Sequence, residues 1–336
     1  MKEKIKKQMM IYIFIAYGVT FLMGLFMWYG YEKEVSLYLF PNVQMMYPAA
    51  GVMLAYLLTE KDNELFPRRF YITYLILTGV MAISAIISVF YPGEITFSTT
   101  VWMYVIQILI LLGSILCWIM LLTEKKEKRI AVGLTWKNTK KSIWMIVLFV
   151  VLYMLRVIIP TVLAGETASL TAIFTNWYTW YMIAALFINF FLVFIAFFGE
   201  EYGWRYYLQP IMQKKFGKRW GVILLGVVWG LWHLPINVFY YSPETWLQSV
   251  AAQQITCITI GIFFAYAYMK SENILVPVIL HFLNNNLIPI ISGNYSSDVI
   301  ANQVISWGDL LPSLIVNGVI WGGFLFSKVF QENQKN

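Results

Sequence analysis

The chain has 336 residues, of which 60% are hydrophobic and only 12% charged, with a mean hydropathy of +0.67. Soluble domains carry about 25% charged residues, so a chain this short of charge cannot coat a water-facing surface and reads as a membrane protein. The formal net charge of +7 would suit a nucleic-acid partner, but its placement in the connecting segments excludes one.

About ten apolar stretches follow in order, over 9–30, 43–59, 70–91, 99–122, 142–164, 182–207, 219–240, 249–269, 273–292 and 309–327. Most approach the ~20 residues a bilayer core demands. The expected fold is therefore all-α, a polytopic transmembrane helix bundle. The start, "MKEKIKKQMMIYIFIAYGVTFLMG", is basic like a signal peptide, but its apolar part is too long and lacks a small-x-small cleavage site, so it reads as an uncleaved first span.

Lys and Arg alternate along the connections. They cluster before the first stretch, at Lys61, Arg68 and Arg69, in "EKKEKRIAVGLTWKNTKK", at Lys214, Lys215, Lys218 and Arg219, at Lys270, and at Lys328 and Lys335. The intervening loops "YPGEITFST", "AGETASLTAIFTNWYT", "YSPETWLQ" and "SGNYSSDVIANQ" carry none, and the first holds only Lys33. Basic segments stay cytoplasmic, which places both termini inside.

The basic segment 123–141 divides an N-terminal region of four stretches, 1–122, from a C-terminal core, 142–328. In the N-terminal region, "YPAAGVML" offers small residues for close helix contact. Cys117 and Cys257 lie inside apolar stretches and make neither a disulfide framework nor a metal site. Arg156 falls in mid-stretch, in "VVLYMLRVIIP", with no partner that the sequence identifies.

The unusual chemistry begins at "FGEEYGWR", directly after an uncharged run. Successive helix residues are rotated by ~100°, so Glu200 and Glu201 face different ways. Glu201 and Arg205 are four apart with the acid first, the favourable order for an ion pair. That leaves Glu200 free. An ionisable group facing lipid costs roughly 2.5–3.5 kcal/mol, so these three must face protein or a wet cavity, unless the helix is simply leaving the membrane there.

The chain has two histidines, and both lie within apolar stretches. His233 sits in "GVVWGLWHLPINVF" and His281 in "ILVPVILHFLNNNLIPI", with Asn285 one turn on and sharing its face. Asn284 and Asn286 point elsewhere and can bridge helices. Pro235, Pro277 and Pro289 loosen the backbone nearby. Counting ~1.5 Å per residue from the basic loops puts Glu200 about 10 Å deep, His281 about 12 Å and His233 about 20 Å, depths compatible with one pocket entered from the cytoplasm. A carboxylate in an apolar site suits general-base work on water, and a histidine with an asparagine can stabilise an oxyanion. That is amide hydrolysis without a serine or cysteine nucleophile.

In order, "EEYGWR" (E-E-x-x-x-R), "WGLWH" (approximating F-x-x-x-H) and "HFLNN" (H-x-x-x-N) resemble the CPBP intramembrane proteases, the family of type II CAAX prenyl endopeptidases and of Abi or bacteriocin-immunity proteins. The resemblance covers roughly 140–295. It implies Glu200 as the water-activating base assisted by His233, His281 and Asn285 as the oxyanion-stabilising pair, and Glu201 and Arg205 in support. Trp229 stands where the family pattern has Phe, implying an altered pocket shape.

Two His and a Glu would also suffice for a catalytic zinc, but no H-E-x-x-H is present and Asn285 fits oxyanion binding better, so a mechanism without cofactor is favoured. The expected partners are the lipid bilayer and a membrane-associated protein or peptide substrate, in a bacterial plasma membrane. Two alternatives stay open: a non-catalytic immunity or partner-binding protein, and a proton-coupled transporter.

Overall fold

In hydrocarbon a backbone N–H has no water to bond, so an apolar segment must close its hydrogen bonds within itself. The computed structural model, which describes residues 2–96, 99–294 and 299–331, is accordingly almost wholly helical; its sheet is a single pair of short antiparallel strands, β1 (Glu94–Thr96) and β2 (Thr99–Thr100). The all-α polytopic fold read from the sequence is the fold observed.

The helices in chain order are α1 (Glu3–Glu32), α2 (Leu39–Gln44), α3 (Tyr47–Thr59), α4 (Arg68–Phe90), α5 (Val101–Thr123), α6 (Lys126–Ala131), α7 (Thr139–Leu163), α8 (Thr167–Thr175), α9 (Trp177–Leu192), α10 (Phe194–Phe216), α11 (Lys218–Trp232), α12 (Leu234–Tyr241), α13 (Trp246–Ser271), α14 (Leu275–Ser292) and α15 (Trp307–Ile320). Among the described residues six are long and apolar enough to cross a membrane, or eight if each bent pair counts once. That is fewer than the ten apolar stretches. The second stretch breaks into α2 and α3, and α3's 13 residues rise only about 20 Å, short of a ~30 Å core. The last ends in tight turns beyond Ile320.

The two bends matter most. Between α9 and α10 the axis turns by 69° at Val193, and the freed Ile195 N–H donates to Ser114 Oγ at 3.3 Å. Between α11 and α12 it turns by 45° at His233, where Pro235 removes a donor and crowds the preceding turn. Both bends lie beside the polar motifs.

Hydrogen bonds and ion pairs define the two ends of the bundle. At one, Lys4 pairs with Glu60 at 2.7 Å, Tyr202 Oη donates to the Val132 carbonyl, and Asn138 Nδ2 donates to the Ser271 carbonyl. The basic loops gather at this end. At the other, Asn302 and Gln303 N–H groups bond the carbonyls of Tyr240 and Tyr241, and Ile305 N–H bonds Thr245 Oγ1.

The N-terminal helices pack directly on the motif-bearing α10. A Cβ on Gly199 would stand 2.3 Å from the Met45 carbonyl oxygen, and one on Gly203 would stand 2.3 Å from Pro48 Cβ. This G-x-x-x-G pair lets two backbones touch, and "YPAAGVML" supplies the facing surface. Gly203→Val is expected to destabilise by about 1–3 kcal/mol through overpacking, read as a lower midpoint of unfolding in detergent; an unchanged midpoint would mean that the contact is unimportant.

Candidate active site

Helix α10 carries Glu200, Glu201 and Arg205 at 2%, 0% and 0% exposure. The i, i+4 pair forms as the spacing requires: Arg205 Nε donates to Glu201 Oε2 at 2.9 Å. The backbone widens into a π-helix over Tyr202–Leu208, a distortion frequent at functional sites. The guanidinium lies 4.8 Å from the Trp229 ring and 5.6 Å from the Phe264 ring, so aromatic faces share its charge with Glu201.

Glu201 does more than hold Arg205. Its other oxygen, Oε1, lies 2.9 Å from His281 Nδ1, so Nδ1 carries a hydrogen and Nε2 is left for other work. The carboxylate therefore fixes both a guanidinium behind the site and an imidazole within it. His281 packs against Phe197, Trp229 and Phe264, which restricts the ring further.

Glu200 points the other way. Its Oε2 accepts from Trp229 Nε1 at 2.8 Å, leaving Oε1 open. The Trp229 carbonyl receives His233 Nδ1 at 2.8 Å; a carbonyl can only accept, so the free nitrogen of His233 is the unprotonated Nε2. Trp229 thus touches Glu200, His233, His281 and Arg205 at once. The sequence marked it as a change of pocket shape, but its main difference from phenylalanine is a donor. Trp229→Phe is expected to lower kcat about tenfold, close to the loss of one hydrogen bond to a charged group, with KM little changed; unaltered kcat would remove Trp229 from the site.

A cavity of about 630 Å³ is lined by Glu200, His233, His281 and Asn285. Glu201 and Arg205 are not on its wall and lie behind it. Asn285 is exposed to the cavity, and its Oδ1 accepts from Asn284 Nδ2 at 2.9 Å, leaving its own amide donors available. No bond joins His281 to Asn285; they share a wall. Asn286 bonds Asn189 at 3.3 Å and so bridges α14 to α9.

The sequence also missed other parts of the wall. Pro41, Gln44 and Met45 of the N-terminal region line it, with Gln44 Nε2 donating to the Trp232 carbonyl at 3.0 Å. Cys257 and Arg156 line it as well. The cavity runs from Glu200 past Tyr241, Ser292, Gln303 and Ile305, toward the end of the bundle away from the basic loops.

Among the described residues no three His, Cys, Asp or Glu side chains group so as to hold a metal ion. His233 Nδ1 is held by the Trp229 carbonyl, His281 Nδ1 by the Glu201 carboxylate, and one oxygen of Glu200 by the Trp229 indole, which leaves both Nε2 atoms and Glu200 Oε1 for the chemistry of the cavity.

Fold and site together define a multi-pass, all-helical membrane protein with a polar cavity among its helices. Residues 177–287 match the model of the Rce1-like type II CAAX prenyl endopeptidase family, and the resemblance carried by the three motifs is supported over that segment. Among curated proteins, the CAAX prenyl protease 2 of Methanococcus maripaludis is 31% identical over 93 residues, which are 26% of this chain and 34% of that protein. The chain thus spans about a third of the length of the curated relative it matches. No solved structure matches. Glu200, Glu201, Arg205, Trp229, His233, His281 and Asn285 all fall within the matched segment; Arg156 and the N-terminal helices lie outside it.

Proposed function

We propose that this protein is an intramembrane endopeptidase that hydrolyses a peptide bond of a membrane-associated protein or peptide, prenylated or otherwise, without a metal. The observation that carries the reading is that Glu200, His233, His281 and Asn285 face one cavity while Glu201 and Arg205 brace it from behind.

In the proposed reaction a water lies between Glu200 Oε1 and the scissile carbonyl. Glu200 takes a proton from the water, with His233 Nε2 accepting a hydrogen bond from it, and the oxygen adds to the carbonyl carbon. The tetrahedral oxyanion is met by Nε2–H of His281, which acts as the imidazolium with its Nδ1–H held by Glu201, and by the Asn285 amide, the kind of preorganised donors that dominate acyl transfer. Glu200 then returns its proton to the leaving amine, and the C–N bond breaks to give a carboxylate and an amine. Trp229 keeps Glu200 aimed throughout. The basic loops place both termini in the cytoplasm.

Chelators test the metal-free part of this reading. Cleavage by purified protein is expected to persist in excess 1,10-phenanthroline and EDTA, with no stoichiometric zinc in the preparation. Loss of cleavage that zinc restores would overturn the metal-free reading.

A further inference from the structure

Arg156 is the residue that the site leaves unused. It is half-buried on α7, and among the described residues it is the one Lys or Arg in the cavity wall, where Glu200 is the one acid. No described acid pairs with it; its guanidinium stands 5.8 Å from the Tyr153 ring. A charge in a transmembrane segment is expensive and marks a ligand path by default. Glu200 is already engaged by Trp229 and serves chemistry in the reading above.

The helices fix Arg156's level. Tyr153 Oη donates to the Asn284 carbonyl at 3.4 Å, putting those two residues side by side on α7 and α14, both of which run away from the basic end. His281 lies three residues before Asn284, and Arg156 three residues after Tyr153. At 1.5 Å per residue the axial offset between His281 and Arg156 is about 9 Å. An extended peptide rises ~3.3–3.6 Å per residue, so an anionic group on Arg156 would be two or three residues from a bond held at His281. The intervening wall offers Asn284, Asn285 and Gln253, neutral groups suited to a peptide backbone.

We propose that Arg156 makes the half of the cavity farther from the basic loops a binding site for the carboxylate of a peptide, which enters from that end of the bundle. This deepens the peptidase reading by naming the substrate feature recognised and its side of approach. The carboxylate is a chain terminus or an acidic side chain; both present the planar pair of oxygens that a guanidinium fork matches. With the basic loops cytoplasmic, the substrate segment comes from the opposite face of the membrane.

The test needs no cleavage, so it stands or falls separately from the Glu200 chemistry. In a Cys257→Ala background, Ile288→Cys places a thiol on the cavity wall at the level of Arg156, and Val304→Cys places one at an exposed position of the same end. Each is reacted, in right-side-out and in inverted vesicles, with two membrane-impermeant methanethiosulfonates, the anionic sulfonatoethyl and the cationic trimethylammonioethyl reagents. The cavity thiol is expected to react from the face opposite the basic loops. Relative to Val304→Cys, it should favour the anionic reagent roughly tenfold, as a local positive potential does.

Arg156→Gln should abolish that preference and Arg156→Lys should keep it, while normal labelling at Val304→Cys shows that each variant is still inserted and folded. Millimolar N-acetyl-leucyl-leucine should slow labelling, and its C-terminal amide should not. Free acid alone protecting indicates a terminal carboxylate; protection only by the amide of N-acetyl-leucyl-glutamate indicates an acidic side chain; either supports the site. Reaction only from the basic-loop face, no charge preference, or no protection by either acid would overturn the proposal.

Discussion

Glu200→Gln is expected to lower cleavage by 10²–10⁴-fold, the span of general acid–base catalysis, and to leave folding unaltered. The amide is isosteric, and its oxygen can still accept from Trp229 Nε1, the bond now made to Glu200 Oε2 at 2.8 Å. What it cannot do is take a proton from water. Kinetics on purified protein should therefore show a fall in kcat with KM nearly constant, the pattern for a group that acts in the transition state. A comparable loss of stability would mean instead that Glu200 serves as a buried structural acid.

The adjacent glutamate is expected to fail in the opposite way. Glu201→Ala leaves Arg205 at 0% exposure with no acid, and unpairing one partner of a buried ion pair costs about 3–5 kcal/mol. It also frees His281 Nδ1, now 2.9 Å from Glu201 Oε1. The variant should unfold at markedly lower denaturant in detergent, and its residual folded fraction should cleave slowly. Adding Arg205→Met removes the stranded charge, so stability should return in part while activity does not. If Glu201→Ala were as stable as the parent, the bracing role given to the pair would be wrong. Two neighbouring carboxylates, one lost to chemistry and the other to folding, would together verify the division of labour at this helix.

The Glu201–Arg205 pair was legible from spacing alone, because i, i+4 residues on one helix meet whatever surrounds them. The helical, membrane-embedded character was equally legible from composition. Span number was not: apolar residues mark a segment as lipid-compatible without saying whether the backbone continues straight. The 69° turn at Val193 carries neither proline nor glycine, and the short α3 reads like its longer neighbours. The 45° turn was better signalled, by Pro235.

Contacts between helices were the least legible. The indole of Trp229 reaches Glu200 because of how α11 is rotated against α10, and rotation leaves no trace in a single apolar segment. Counting residues from the basic loops gave Glu200, His281 and His233 depths compatible with one pocket, but depth does not say which way a cavity extends, and this one runs to the end away from those loops. Arg156 stayed unassigned for the same reason. The Gly199 and Gly203 pair was visible as a pattern, whereas its partner, the turn at Met45 and Pro48, needed the tertiary structure.

The most direct measurement compares membranes of cells expressing the parent protein or Glu200→Gln at equal abundance, with new peptide termini mapped by mass spectrometry. Termini present with the parent and absent with Glu200→Gln are the expected result, and their sequences would identify the substrate. An identical set of termini from both, with both proteins folded and embedded, would contradict proteolysis by Glu200.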